Sequence, residues 1–247
     1  MEDTDEDAEC SSLEFVHLPA KALGAPLTIR RLYASPVTDY WSLDWSTSYY
    51  RAQARAGFIS TSLGPVLLPT LQASYAVLDW EKVHLSRSMR RWMERPVCQD
   101  QGYTLVLSAP LDPIVEGIRR SYDPCWVGEE YGELLARLRS EGPVGDFEFL
   151  TPALVTEGGE GKLVAGEIGY RIGRTYTSLS GFFDRGDPLY SRTGMLQLYL
   201  LAQWLREEGF SFWNLGQFDL ELLKYKQDFG AVETPRKAFL ERWWEAV

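Results

Sequence analysis

Histidine and cysteine are scarce in this 247-residue chain: His17 and His84, and Cys10, Cys98 and Cys125. Two histidines are too few for most zinc sites and histidine-based triads. The three cysteines form no CxxC pair, and an odd number closes no disulfide framework, so reduced thiols in a reducing compartment are expected. No metal site is expected. No apolar run reaches membrane-spanning length, and the acidic start is unlike a secretory or mitochondrial signal. Positive charge is short as well: 25 Lys and Arg stand against 35 Asp and Glu, for a net charge of -10. That balance excludes broad, non-specific nucleic-acid binding but permits a local basic patch. GxSxG, P-loop and HExxH motifs do not occur, so hydrolase, NTPase and zincin readings have no support. These exclusions point to a soluble cytoplasmic protein, with a monomer as the default.

What remains is ample apolar material. Hydrophobic residues make up 45% of the chain, enough for one large domain or two small ones. Acidity concentrates in Glu2, Asp3, Asp5, Glu6, Asp7 and Glu9, and residues 1–12 read as a disordered tail. Residues 13–100 read as an N-terminal α+β part and 101–247 as a second, larger domain. The first clear helix runs from about Trp45 to Ala56 and stops at Gly57. Strands are expected at Gly64–Pro69, Tyr75–Leu78 and Thr104–Leu107, with a short basic helix, Arg87 to Met93, capped by Ser86. Asp112-Pro113 is expected to open a helix to Ser121, followed by another from Glu129 to Ser140. Phe147–Thr156 and Lys162–Gly173 read as paired strands joined by the turn Glu157–Gly161, with Arg174–Phe183 as a third strand. Ser191 is expected to cap a long helix whose Met195, Leu198, Tyr199, Ala202 and Leu205 recur at helical spacing. A buried strand over Phe210–Leu215, a helix over Leu220–Asp228 and a last strand or short helix at Ala238–Leu240 complete the reading. This order predicts an α+β fold with a GNAT-like central mixed sheet flanked by helices.

The most specific motif is Val77-Leu78-Asp79-Trp80-Glu81-Lys82-Val83-His84-Leu85-Ser86-Arg87-Ser88-Met89-Arg90-Arg91-Trp92, preceded by Arg55-Ala56-Gly57-Phe58-Ile59. It resembles the leucyl/phenylalanyl-tRNA–protein transferases, where a segment reads Val-Leu, a few residues, then His-Ile-Ser-Arg-Ser-Met-Lys-Arg. Asp112–Gly117, Trp126, Gly166-Glu167-Ile168-Gly169-Tyr170 and Leu215-Gly216-Gln217 also correspond. The resemblance runs from about Trp45 to the C-terminus, dense in one block and thin elsewhere. It departs at two acidic positions. The family's Gly-Glu-Ser-Met-Phe-Ser is here Ser178-Leu179-Ser180-Gly181-Phe182-Phe183, and its Asp-Cys-Gln is Leu215-Gly216-Gln217. Lys224-Tyr225-Lys226-Gln227-Asp228-Phe229-Gly230-Ala231 is similar to the aromatic-Lys-x-x-Phe-Gly signature of the Fem-type peptidoglycan aminoacyl ligases, which also draw amino acids from tRNA.

The resemblance implies an aminoacyltransferase that moves an amino acid from aminoacyl-tRNA to the N-terminus of an acceptor protein. Its donor is a substrate, and no cofactor is implied. Gln217 is expected to position the acceptor, Lys226 to neutralise the oxyanion, and Ser180 or Tyr225 to pass a proton to the leaving ribose oxygen. In the basic cluster Lys82, Arg87, Arg90, Arg91 and Arg95 the four arginines fall at helical spacing on one side, and Arg87, Arg90 and Arg91 are the expected tRNA-phosphate ligands. The alternative for that cluster is a solvated face paired with Glu81 and Glu94. Trp126 corresponds to the region that holds the terminal adenosine of tRNA, where an aromatic face suits an unpaired base. Two other functions stay open: a GNAT-fold binding module that has lost catalysis, which the missing acids favour, and an acyl-CoA-dependent N-acyltransferase. The acidic Asp184-Arg185-Gly186-Asp187-Pro188 after the third strand is poorly suited to a pyrophosphate.

Overall fold

The computed structural model describes residues 15–157, 161–218 and 224–247. The acidic run lies outside the described residues, as do the middle of the Glu157–Gly161 turn and the start of the helix expected over Leu220–Asp228. In chain order the elements are β1 (Val16–His17), α1 (Ala20–Leu23), α2 (Pro26–Ala34), β2 (Tyr40–Trp41), α3 (Thr47–Arg55), β3 (Ile59–Leu63), β4 (Val66–Thr70), β5 (Ser74–Leu78), α4 (Arg87–Met93), α5 (Pro96–Gln99), β6 (Thr104–Val106), α6 (Leu111–Ser121) and α7 (Glu129–Glu141). They continue as β7 (Phe147–Leu150), β8 (Ala153–Val155), β9 (Leu163–Ile172), β10 (Thr175–Phe183), α8 (Thr193–Glu207), β11 (Phe212–Gln217), α9 (Lys224–Phe229), β12 (Val232–Pro235) and α10 (Arg236–Ala246).

The expected α+β fold with a central mixed sheet is what forms. Seven strands run in the order β12-β5-β11-β10-β9-β8-β6, and β7 also pairs with β9. The β10–β11 pair is parallel and the other ladders of this sheet are antiparallel. β5, from the first third of the chain, sits between β11 and β12. Strand alternation sends neighbouring side chains to opposite faces. Tyr75 and Val77 of β5 join one core with helices α3, α6, α7 and α10, while Ala76 and Leu78 join a second core beneath α4, α8 and Phe229 of α9. Both cores are rich in fully buried rings, including Tyr50, Tyr131, Tyr170, Trp213 and Phe239. Each such ring contributes about 1.5–3 kcal/mol by leaving water.

Several local readings change. The strand expected over Phe147–Thr156 is two strands, because it turns at Thr151-Pro152 before continuing along β9. α6 begins one residue before Asp112, after Pro110, with no side-chain cap. α8 starts at Thr193 rather than after Ser191, and Thr193 Oγ1 donates back to the Tyr190 carbonyl at 2.7 Å. Ala238–Leu240 lies inside the eleven-residue α10. Its apolar residues bury on one helical face (Phe239, Leu240, Trp243, Ala246), a 3.6-residue period that a three-residue window cannot display.

Candidate functional site

The site is built where the one parallel pair of the central sheet comes apart. β10 and β11 pair only from Thr175–Phe212 to Thr177–Asn214, and both strands continue beyond. Each carries an irregularity at the parting point, between Ser178 and Ser180 in β10 and between Asn214 and Gln217 in β11. Bulges of this kind bend a strand and re-aim its side chains. The β11 irregularity rests on Gly216, whose φ of +80° favours glycine. Asn214 is buried, and its Oδ1 accepts the Gly216 N–H at 3.0 Å. Asn214 thus shapes the bend. A β-carbon placed on Gly216 would stand 3.8 Å from the Ser178 carbonyl and 3.9 Å from Lys226 Nζ, so both sides of the cleft and α9 converge there.

Three of the expected catalytic residues gather at this point. Gln217 is exposed at the end of β11. Lys226 is buried on α9, and its Nζ donates to the Gln217 carbonyl at 2.8 Å. Tyr225 lines an adjoining cavity of about 420 Å³ with His84, Ser86, Met89, Met195 and Asp228. Its hydroxyl is pushed above the usual phenol range, first by burial and then by Tyr122 and Glu167 nearby. Ser180 lies apart from the three. It pairs with Ile168, which belongs to the α6-side core, and the Tyr122 hydroxyl donates to the carbonyl of the next residue, Gly181, at 3.0 Å.

Sequence reasoning passed over Glu167 as a site residue. Its carboxyl is buried on β9, and Oε1 accepts both the Tyr176 hydroxyl and the Ser178 hydroxyl at 2.8 Å. The same Ser178 Oγ accepts the Trp213 indole N–H at 2.9 Å. Burial raises the Glu167 pKa to about 7, against the opposing effect of the hydrogen bonds from Ser178 and Tyr176. The available signal was a lone glutamate inside the apolar run Leu163-Val164-Ala165-Gly166-Glu167-Ile168: a strand buried on both faces rarely holds an unpaired carboxylate.

Beside the cavity stands the basic helix. Ser86 caps α4 by accepting the Met89 N–H, and Met89 and Trp92 anchor it in the second core. Arg87, Arg90 and Arg91 are exposed. Arg90 Nε donates to the Leu85 carbonyl, and Arg192 from the start of α8 reaches Ser88 Oγ at 3.1 Å, adding a cation that the sequence had not singled out. Seven ion pairs occur among the described residues, and none involves Lys82, Arg87, Arg90, Arg91, Arg95 or Arg192. The expected alternative, pairing with Glu81 and Glu94, does not occur. Trp126 is on the other side of the sheet. It packs against the α6-side core with its ring edge-on to Tyr131 at 4.8 Å, and its carbonyl accepts Ser62 Oγ.

The two signature segments are docked on each other. His84 N donates to the Phe229 carbonyl at 2.8 Å. Gly230 has φ +113°, and a β-carbon there would sit 1.9 Å from the Lys82 carbonyl. Only glycine lets the backbones approach so closely. Among the described residues no group of three His, Cys, Asp or Glu could hold a metal ion, and no helix is long and apolar enough to cross a membrane.

No curated protein matches the chain. Among solved structures, L-PGS from Bacillus licheniformis aligns at 18% identity and a TM-score of 0.42, over 65% of this chain and 57% of that one. The chain therefore spans little more than half the length of that relative. FemX aligns at 12% identity and a TM-score of 0.51, over 87% of this chain and 75% of its own, a likeness of fold. The profile of leucyl/phenylalanyl-tRNA protein transferase matches residues 77–243, from the first strand of the central sheet into the last helix. With more than half of its length matched, the chain belongs to the leucyl/phenylalanyl-tRNA protein transferase family.

Proposed function

We propose that the protein is an aminoacyltransferase that moves the amino acid of an aminoacyl-tRNA onto the N-terminal amine of an acceptor protein, in the cytoplasm. One observation carries this reading. The α4 block and the α9 signature, the two segments that point to a tRNA donor, close on one cavity lined by His84, Ser86, Met89, Tyr225 and Asp228. In this reading Arg87, Arg90 and Arg91, joined by Arg192, hold tRNA phosphates, and the cavity receives the aminoacylated end. The ester is already activated, so the protein mainly positions the amine and stabilises charge. Lys226 faces the developing oxyanion, Gln217 orients the acceptor, and Tyr225 gives a proton to the leaving ribose oxygen. Tyr225 is favoured over Ser180 because Ser180 belongs to the other face of the sheet. Trp126, packed on Tyr131, is left out of the donor site.

An acyl-CoA donor fits poorly. The loop after β10, where pyrophosphate would need N–H donors, presents Asp184, paired with Lys162 at 2.7 Å, and Asp187, which accepts the Leu189 N–H. Catalytic loss is the second reading, favoured by Leu179 and Leu215, two packed apolar residues where the family carries acids. The test is transfer itself. Incubation with a mixture of charged tRNAs and a peptide panel is expected to extend peptide N-termini, read by mass spectrometry. Acetyl-CoA is expected to leave the melting temperature unchanged at millimolar concentration, since a ligand that does not bind the native state cannot stabilise it. Peptide binding without extension favours the inactive module, and a rise in melting temperature with acetyl-CoA promotes the acyl-CoA enzyme.

A further inference from the structure

The buried carboxyl at the strand parting has no role in the mechanism above, and its hydrogen bonds suggest one. A serine hydroxyl has one proton to give and two lone pairs to receive with. In Ser178 the proton goes to Glu167 Oε1 and one lone pair takes the Trp213 N–H. One lone pair is left for an incoming N–H. Glu167, Tyr176 and Trp213 are all buried, whereas Ser178 is half-buried, so Ser178 is where this network opens. Ser178 also stands beside the converging point: its backbone carbonyl and Lys226 Nζ are both within 4 Å of where a Gly216 β-carbon would be. Leu179, which stands where the family has glutamate, packs toward the α6-side core and offers no substitute. Glu167 is on the neighbouring strand and opposite Gly181.

We propose, on the basis of the aminoacyl-transfer reading, that Ser178 and Glu167 form the proton-accepting pair of this protein, with Ser178 meeting the acceptor amine and Glu167 acting through it. The amine nitrogen attacks the ester carbonyl carbon and a C–N bond forms. The nitrogen's proton passes to Ser178 Oγ as the Ser178 proton passes to Glu167. When the tetrahedral intermediate collapses, the C–O bond to the ribose breaks. Tyr225 gives its proton to the ribose oxygen, the proton held by Glu167 leaves through the same hydroxyl to water, and Tyr225 regains one from water, which restores the carboxylate. One amide and one free ribose hydroxyl result, and no other reactant is needed. A carboxyl that titrates near neutrality suits this work, since it accepts a proton readily at working pH and releases it again. Trp213 holds Ser178 in place and is a positioning residue.

The test is the pH profile of kcat/KM for transfer from aminoacyl-tRNA to a peptide. In the unaltered protein both the carboxylate and the neutral amine are needed, so below pH about 6 the logarithm should rise with slope two. Glu167→Gln should lower kcat/KM by about 10²-fold at pH 7.5 and reduce the slope to one, the amine's own titration. Ser178→Ala should do the same, and Ser178→Thr, which keeps the hydroxyl, should restore slope two. If Glu167→Gln fails to fold, the Ser178 pair decides alone. A slope of two in Ser178→Ala overturns the proposal while leaving the transfer reading intact. No transfer by the unaltered protein overturns both.

Discussion

The two faces of the central sheet treat charge differently. On the face covered by α3, α6 and α7, arginines are matched with carboxylates: Arg51 with Glu141 at 2.7 Å, Arg55 with Asp146, Arg120 with Glu116 and Arg137 with Glu133. The buried hydroxyls of Tyr50 and Tyr131 bond each other there. On the face covered by α4, α8 and α9, the α4 arginines have no carboxylate within ion-pair distance, and a carboxyl group lies buried beside two hydroxyls. In a chain of net charge -10, carboxylates are the commoner charge, so exposed arginines away from them form a local positive patch. The first face pairs four of its arginines with carboxylates, and the second leaves the α4 arginines exposed to solvent.

The largest expected effect breaks that contrast at α4. Changing Arg87, Arg90 and Arg91 together to glutamate should weaken tRNA binding on the order of 10³-fold at moderate salt and make its salt dependence shallower by about 3 in log–log slope, one for each lost phosphate contact. Filter binding across a salt series measures both, and circular dichroism confirms folding. An unchanged slope would show that α4 does not face the tRNA backbone.

The second effect concerns the buried carboxyl. Glu167 binds its proton more tightly in the folded chain, with a pKa of about 7 against 4.5 for a solvated glutamate, so the folded state holds more protons between these values. Its contribution to stability is fully present below pH about 4.5 and is lost as pH rises through about 7. That loss is about 3 kcal/mol. Urea unfolding of the protein and of Glu167→Gln at pH 5 and pH 8 should show a gap that shifts by about 2.5 kcal/mol in favour of the variant at pH 8, the remainder being lost already below pH 5. A constant gap would place Glu167 in a more solvated setting.

Much of this was legible in the sequence, but unevenly. The α4 block and the α9 signature were visible because side-chain order carries them: in α4, Ser86 caps, Met89 and Trp92 face inward, and Arg87, Arg90 and Arg91 face outward. Their docking was not, because it depends on Gly230 meeting the Lys82 carbonyl across some 150 residues of chain, a contact between backbones. The parting of β10 and β11 was hidden for the same reason, since a parallel ladder has no local pattern that says where it stops. Helices α1 and α2 escaped notice because neither has a side-chain N-cap and the stretch lacks a long apolar stripe. Ser180 and Trp126 came from positional correspondence, and correspondence alone does not say which face of a sheet a side chain takes.

The third effect sharpens the comparison at the cleft itself. Gln217→Ala and Lys226→Ala should each lower kcat for transfer by about 10²-fold, the usual cost of removing one donor that stabilises developing charge. Gln217 is exposed, so its replacement should leave the melting temperature within a degree or two. Lys226 is buried and bonded to the Gln217 carbonyl, so its replacement should also destabilise, and Lys226→Met, which keeps the stem, separates packing from charge. Normal transfer by Gln217→Ala would leave that residue outside the reaction.

The smallest effect belongs to the matched face, and it decides whether the contrast is local. Arg120→Glu and Arg137→Glu together make the chain more acidic by four charges, against six for the α4 triple reversal. Arg120 and Glu116 are both well exposed, and Arg137 adds one hydrogen bond to the Trp45 carbonyl, so the stability cost should be about 1 kcal/mol per site. If the α4 face is the tRNA site, tRNA affinity should change less than about 3-fold, because charges beyond a Debye length of roughly 8–10 Å are screened. Suppose instead that affinity falls in proportion to the charge added, at two-thirds of the α4 effect on a logarithmic scale. Binding would then follow net charge rather than the α4 arginines, and the two faces would be electrostatically alike despite their different pairing.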